Sequence, residues 1–532
     1  MAGRGEAAEQ AVDAGGLNAQ RGVTAPALGA RVARHTAFSF AGFAVPLAVA
    51  LIAIPITVNA LGPARFGLLG LAWAVVEYGG FFDVGLSRAT VRFVADALAR
   101  SPRDNSQIIP VAFATQLATG LIAGLLVWAA APYLATQLFS IPAAFQAEAQ
   151  AMFVVVGANL TIVIAIGGLR GALEGAQRFD LSTMVKIPTA MAAIVIPAFG
   201  ATRGWSLDLI LWWVFAARLV TLAMLIALVP RAVEGFRWEP PREWRRLRSL
   251  FGYSGWLTVS GLANPILINL DRFALGSLVG VAAVGFYAAP YEGATRLLLV
   301  PVSIFSALFP VLTSTEARAE RGRTVRIVES ALRQTALIMM LPTLAILALA
   351  PEILHWWLGP AFAAEAATAL RILSVGVFAN AIAHVPSVFL YSAGRPDLPA
   401  KLHMAELVVH VPLTLFLVSH FGVTGAAAAW TLRTTLDAAG LTLIAGRLGA
   451  WRVDSEKLRH WAGAATASAV LLGALVFGTS VNSPGPILPL GSLLAGTLAF
   501  AAICWRSALA REEKAALLAL LGHRTTAGAS GK

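Results

Sequence analysis

The chain has 532 residues, of which 58% are apolar and only 13% charged, with a net charge of +12 and one cysteine. Soluble domains carry about 25% charged residues, so a chain this poor in charge could not cover the surface of several soluble domains, whereas a lipid bilayer removes that requirement. Cys504, standing alone, excludes an internal disulfide and a cysteine-rich metal site.

Residues 1–36 carry Glu6, Glu9 and Asp13 and lack the apolar core of a signal peptide, so they read as a disordered cytoplasmic tail. Apolar runs long enough to cross about 30 Å of hydrocarbon need about 20 residues. They follow at 37–60, 65–86, 108–131, 149–169, 186–202, 208–230, 252–270, 283–311, 333–355, 369–390, 402–420, 423–446, 462–480 and 488–508. The expected fold is all-α and membrane-integral, with about 14 transmembrane helices. Six helices over 37–230 form one lobe, 231–251 a basic cytoplasmic linker, and 252–446 a second six-helix lobe; helices 13 and 14 over 447–508 and a cytoplasmic tail over 509–532 follow. Within the connection after helix 2, Arg88, Arg92, Asp96 and Arg100 recur every four residues, which predicts an amphipathic helix lying on the membrane; Pro241 to Arg248 suggests another. Two copies of Gly-x4-Gly, Gly62 to Gly67 and Gly280 to Gly285, stand 218 residues apart, each before a new span. Their matching positions point to two halves built from one repeat.

The basic residues alternate with the spans. Alternate connections and the tails hold 33 of the 40, whereas the opposite connections hold Arg65, Arg203 and Arg272, and four lie within spans. The positive-inside rule then puts both termini in the cytoplasm. The net charge belongs to a surface facing anionic lipid headgroups, and nucleic acid is not needed to explain it.

Placing an ionisable residue mid-span costs about 2.5–3.5 kcal/mol on insertion scales. Arg218 in helix 6, Arg296 in helix 8 and Arg433 in helix 12 are therefore candidates to line a watery cavity, with Arg371 near the outer end of helix 10. Glu292 with Arg296, and Arg433 with Asp437, are four apart and could equally be structural ion pairs. Arg218 has no acid within helical reach, which makes it the expected ligand-facing cation; its planar fork matches phosphate oxygens. Glu77, Glu292, His384 and Asp437 are candidates for ion or proton coupling, and Glu406 and His410 could join His384 in a relay. No catalytic residue, cofactor or metal site is expected. Neither a P-loop nor H-E-x-x-H occurs, and no extramembrane stretch could house a sugar-nucleotide site. Prolines 46, 55, 265, 301, 310, 342, 386 and 412 fall inside spans, where each removes a backbone hydrogen bond and tends to kink its helix.

Several segments carry a family resemblance: Pro55 to Gly62, Arg65-Phe-Gly-Leu-Leu, Phe82-Asp-Val-Gly-Leu86, Arg92-Phe-Val-Ala95, Asn269-Leu-Asp-Arg-Phe-Ala-Leu-Gly276 and Val284-Gly-Phe-Tyr-Ala288. Over roughly residues 35–450 the chain resembles the Wzx-like lipid-linked oligosaccharide flippases of the MOP superfamily, relatives of the MATE multidrug exporters and the lipid II flippase. The resemblance implies a V-shaped pair of lobes in the bacterial inner membrane. It implies alternating-access transfer of an undecaprenyl-pyrophosphate-linked glycan to the periplasmic leaflet for O-antigen or exopolysaccharide biosynthesis. The implied partners are that lipid substrate, membrane lipids, a polysaccharide polymerase and chain-length regulators. Two other readings compete. A MATE-like ion-coupled antiporter of small molecules sits poorly with mid-span charges that are mostly arginine. A membrane polymerase or glycosyltransferase sits poorly with a longest outer connection, 132–148, that holds one charge, Glu148.

Overall fold

A computed structural model of the protein describes residues 25–83, 85–100, 105–233, 235–241, 266–318, 320–451 and parts of 462–514. Every regular element among them is helical. In chain order these are α1 (Ala25–Tyr78), α2 (Gly80–Asp83), α3 (Leu86–Arg100), α4 (Asn105–Tyr133), α5 (Ala143–Gly175), α6 (Phe179–Thr202) and α7 (Leu207–Ala232). There follow α8 (266–278), α9 (Val281–Thr295), α10 (Leu299–Ala317), α11 (Arg321–Leu358), α12 (Pro360–Ser392), α13 (Asp397–Arg447) and α14 (Ile487–Ile503). Eight helices among the described residues are long and apolar enough to cross a membrane. The expected tails, most of the basic linker, most of span 252–270 and most of span 462–480 lie outside the described residues.

Two of the eight carry a glycine with non-helical dihedrals, Gly62 in α1 and Gly422 in α13. At Gly422 the chain doubles back, for a Cβ on Gly425 would collide with the carbonyl oxygen of Leu417 on the preceding arm. One long helix thus supplies the arms anticipated as spans 402–420 and 423–446.

Three expectations need correction. A seventh span ending at residue 270 puts Arg272 in an outer connection, but α8 continues to residue 278 and Arg272 is only 4% exposed. Its charge made it look like loop, but an acid on α9 neutralises it inside the protein. Span 283–311 is not one helix: a 3-10 turn, Arg296–Leu298, separates α9 from α10. Pro301 lacks the N–H that would close the α-helical bond to the Leu297 carbonyl, which loosens the chain here. The connection expected at 132–148 is largely helical, with a π turn over Leu134–Leu138 and the start of α5 at Ala143.

The amphipathic segment forms as expected. In α3 the side chains of Leu86, Ala89 and Val94 are buried, while Arg88, Arg92 and Asp96 are exposed. Asp83 accepts from the backbone N–H and the hydroxyl of Ser87 and from Gln116 Nε2 at 2.7 Å, which fixes the start of this helix against α4.

Equivalent turns recur at a near-constant offset. Gly62 and Gly280 both have positive φ, and a Cβ on Gly67 would collide with the Val281 carbonyl while one on Gly285 would collide with that of Pro63. The two Gly-x4-Gly copies therefore pack reciprocally, backbone on backbone. Pro142 and Pro360 open α5 and α12, 218 residues apart, and the positive-φ turns at Gly204 and Gly422 share that spacing. Gln177 and Gly394, both of positive φ and 217 apart, are each followed by an Arg-x-Asp clasp. Arg178 holds Asp180 at 3.1 and 3.0 Å, and Arg395 holds Asp397 at 3.0 and 3.3 Å. In each clasp the carboxylate's hydrogen bond raises the arginine pKa above its ordinary value. One apolar core is confined to residues 94–236, a second to residues 312–450, and a third draws on both ranges.

Candidate functional site

The arm of α1 after Gly62 presents Trp73 and Glu77, one turn apart on one face. Glu77 accepts a hydrogen bond from Asn269 Nδ2 of α8 at 2.8 Å. From there a polar seam runs between α8 and α9. The Tyr287 hydroxyl donates to Asp271, and Arg272 Nη2 donates to Glu292 Oε1 at 2.8 Å. Arg296 Nη2 donates to the other oxygen, Glu292 Oε2, also at 2.8 Å. One carboxylate thus joins two guanidiniums, a buried one and one whose side chain is 38% exposed. Arg272 also lies over the ring of Tyr291, 5.1 Å from its centroid, and Tyr291 meets Trp430 of α13 edge-on at 5.4 Å. The break at Arg296–Leu298 puts the more exposed arginine where the helix is interrupted, as in transporters that bind substrate at discontinuous helices.

At Trp73, one turn earlier on the same face of the α1 arm, the Arg218 guanidinium of α7 sits 5.5 Å from the ring centroid. Its Nη1 donates to Asn159 Oδ1 of α5 at 2.7 Å, and Asn159 is held by the carbonyls of Val155 and Leu211. No carboxylate lies within ion-pairing distance of Arg218 among the described residues, although it is only 8% exposed. Arg218 is therefore a buried cation balanced by an amide and an indole, with charge left to offer a ligand.

The remaining candidates separate. Arg433 does not pair with Asp437 one turn away; its Nη1 approaches Glu406 Oε2 at 3.8 Å, and Asp437 instead faces His403 Nε2 at 3.3 Å. The edge-on contact of Trp430 with Tyr291 ties α13 to the seam. Arg371 Nε donates to the carbonyl of Leu347 at 3.0 Å, the acceptor that Pro351 leaves without a helical donor. His384 Nδ1 donates to the Asn380 carbonyl of its own helix at 2.8 Å, and His410 lies beside Thr414. Sequence reasoning missed Asp271, Arg272, Tyr287, Tyr291 and His403. Asn269-Leu-Asp-Arg-Phe carried the signal for the first two, since adjacent opposite charges directly after an apolar run mark a paired site as readily as a loop.

The sequence profile of the polysaccharide biosynthesis protein family matches residues 34–316, more than half of the chain. The chain belongs to this family. Its relatives include a Shigella flexneri protein named for O-antigen transport, 26% identical over 417 residues, which cover 76% of this chain and 96% of that one. Among solved structures, the lipid II flippase MurJ in an inward closed conformation matches with a TM-score of 0.67 at 12% identity, over 87% of this chain and 97% of its own. An inward-facing multidrug resistance MATE family transporter of the MOP superfamily matches with a TM-score of 0.63 at 18% identity, over 76% and 94%. Such identities speak to fold alone: this member of the polysaccharide biosynthesis family is a multi-pass membrane protein with the architecture shared by MATE and MurJ.

Proposed function

We propose that the protein is a flippase for a lipid-linked oligosaccharide, working by alternating access between two pseudo-symmetric lobes, 37–230 and 252–446. The carrier is an undecaprenyl pyrophosphate, the membrane is the bacterial inner membrane, and both termini are cytoplasmic. The protein acts without catalysis, alongside the polymerase and chain-length regulators of a polysaccharide pathway. Arg218 carries the reading: a buried guanidinium that meets an amide and an indole, with no carboxylate in reach among the described residues, suits a pyrophosphate arriving from the membrane. Arg296 and Arg433 extend the cationic lining from α9–α10 and α13, while Arg371 caps the kink at Pro351 of α11. Glu77 and Glu292, which touch the seam, are the coupling candidates favoured over His384; Asp437 belongs with the α13 cluster.

Liposomes containing the protein and a labelled undecaprenyl-pyrophosphate oligosaccharide test this, with arrival at the outer surface read by an external glycan-modifying probe. Arg218→Ala and Arg296→Ala should slow wild-type transfer at least about tenfold, the loss expected for one charge-assisted contact. Transfer at wild-type rates in both variants would remove the site and leave the flippase. A rate no higher than in empty liposomes, with a matching glycan, would remove the flippase.

A further inference from the structure

Outside the seam, one cluster among the described residues has no part in the proposed transfer. His403 and Glu406 are three residues apart on the first arm of α13, hence on one face, and Asp437 comes from the returning arm. One donor atom from each lies within 4.8 Å of the other two. Glu406 and Asp437 are 8% and 6% exposed. Among the described residues both carboxylate oxygens of Glu406 are buried without a hydrogen-bond donor, Arg433 at 3.8 Å being too far to supply one, while Oδ1 of Asp437 has His403 Nε2 at 3.3 Å. A buried carboxylate without a donor is costly. The repeat shows that the fold does not demand the cluster. Counting from the equivalent turns at Gln177 and Gly394, Thr189 stands where Glu406 does; counting from Gly204 and Gly422, Phe215 and Leu219 stand where Arg433 and Asp437 do. Thr189 satisfies its hydroxyl with Thr221 at 2.8 Å.

We propose that His403, Glu406 and Asp437 bind a divalent transition-metal ion such as Zn2+. Alkali and alkaline-earth ions take oxygen donors, whereas an imidazole together with two carboxylates suits zinc and its neighbours. Three protein ligands are the usual number for a site that keeps a position open to solvent. His403, whose side chain is 38% exposed, gives the ion its way in. The ion ties the two arms of α13 together and takes Glu406 from Arg433. If Arg433 faces phosphate, as proposed above, metal and substrate are thereby linked; the binding itself does not rest on that reading.

The purified full-length protein in detergent is titrated with Co2+, followed by its visible ligand-field absorption, and then with Zn2+ in competition. One Co2+ per chain with a low-coordinate spectrum, displaced by Zn2+ and not by Na+, is expected. His403→Gln and Asp437→Asn should each weaken Co2+ binding at least about tenfold, and Arg433→Gln should tighten it because a competing cation is gone. His384→Gln should leave it unchanged. Thermal unfolding without metal identifies any variant that has not folded, and Zn2+ should raise the wild-type midpoint but not that of Asp437→Asn. The same affinity in wild type and in His403→Gln plus Asp437→Asn, or no binding at micromolar Co2+, overturns the site. Metal binding without glycan transfer would sink the flippase and keep the metal.

Discussion

Arg218 and Arg272 are both charged and almost equally buried, yet their neighbours give them opposite roles. Arg272 is paired with Glu292, stacked on Tyr291 and adjacent to buried Asp271, so removing it takes one of two cations from Glu292 and the neighbouring charge from Asp271. Arg272→Ala should cost about 3–5 kcal/mol of stability, read as a lower denaturation midpoint in detergent. Arg218→Ala takes a donor from Asn159, a neutral amide, and a cation from the Trp73 ring, and should cost about 1–3 kcal/mol while slowing transfer. A larger loss of stability from Arg218→Ala than from Arg272→Ala would reverse the two assignments. At this scale the sequence is legible where a charge interrupts an apolar run, as at Arg218, Arg296 and Arg433. It misleads where two opposite charges stand together, as at Asp271 and Arg272, because a solvated turn and a buried ion pair look the same in one dimension. Partner choice is also out of reach: Arg433 and Asp437 are one turn apart, but neighbours on the other arm, Glu406 and His403, claim them instead.

Among the elements, three proline kinks share one solution. Pro55, Pro230 and Pro351 each leave the carbonyl four residues earlier without its helical donor. Trp357 Nε1 donates to the Leu51 carbonyl at 2.9 Å, Trp238 Nε1 to that of Ile226 at 3.0 Å, and Arg371 Nε to that of Leu347 at 3.0 Å. Hydrocarbon offers no water to do this, so a side chain must. A double-mutant cycle gives the test. Trp357→Phe alone should lose about 1–3 kcal/mol by leaving the Leu51 carbonyl unpaired, and the same change on a Pro55→Ala background, where the backbone N–H returns, should lose much less. Equal losses on both backgrounds would make Trp357 a packing residue only. The prolines are plain in the sequence, as is the stripe of α3. Their caps are not, since the donors come from residues 12, 24 or more than 300 positions away, and only the folded chain sets those distances.

For the whole molecule, the reciprocal packing of Gly67 and Gly285 controls how closely the first and second parts of the chain approach. Enlarging either glycine should hold them apart. With Cys504 changed to Ser and spin labels at Thr136 and Leu278, Gly285→Leu should lengthen the measured distances and slow transfer, with an overpacking cost of about 1–3 kcal/mol. Unchanged distances would mean that the contact yields without consequence. The Gly-x4-Gly copies could be seen in the sequence, but their mutual contact could not, and the Arg-x-Asp clasps declared themselves as a repeat only once their turns could be compared. That seam has the geometry of a two-fold dimer interface whose subunits happen to share one polypeptide. Because it is made of main chain, charges elsewhere can differ freely between the two copies, as Glu406 and Asp437 differ from Thr189 and Leu219, without disturbing the joint. One copy is thus free to acquire chemistry that the other lacks.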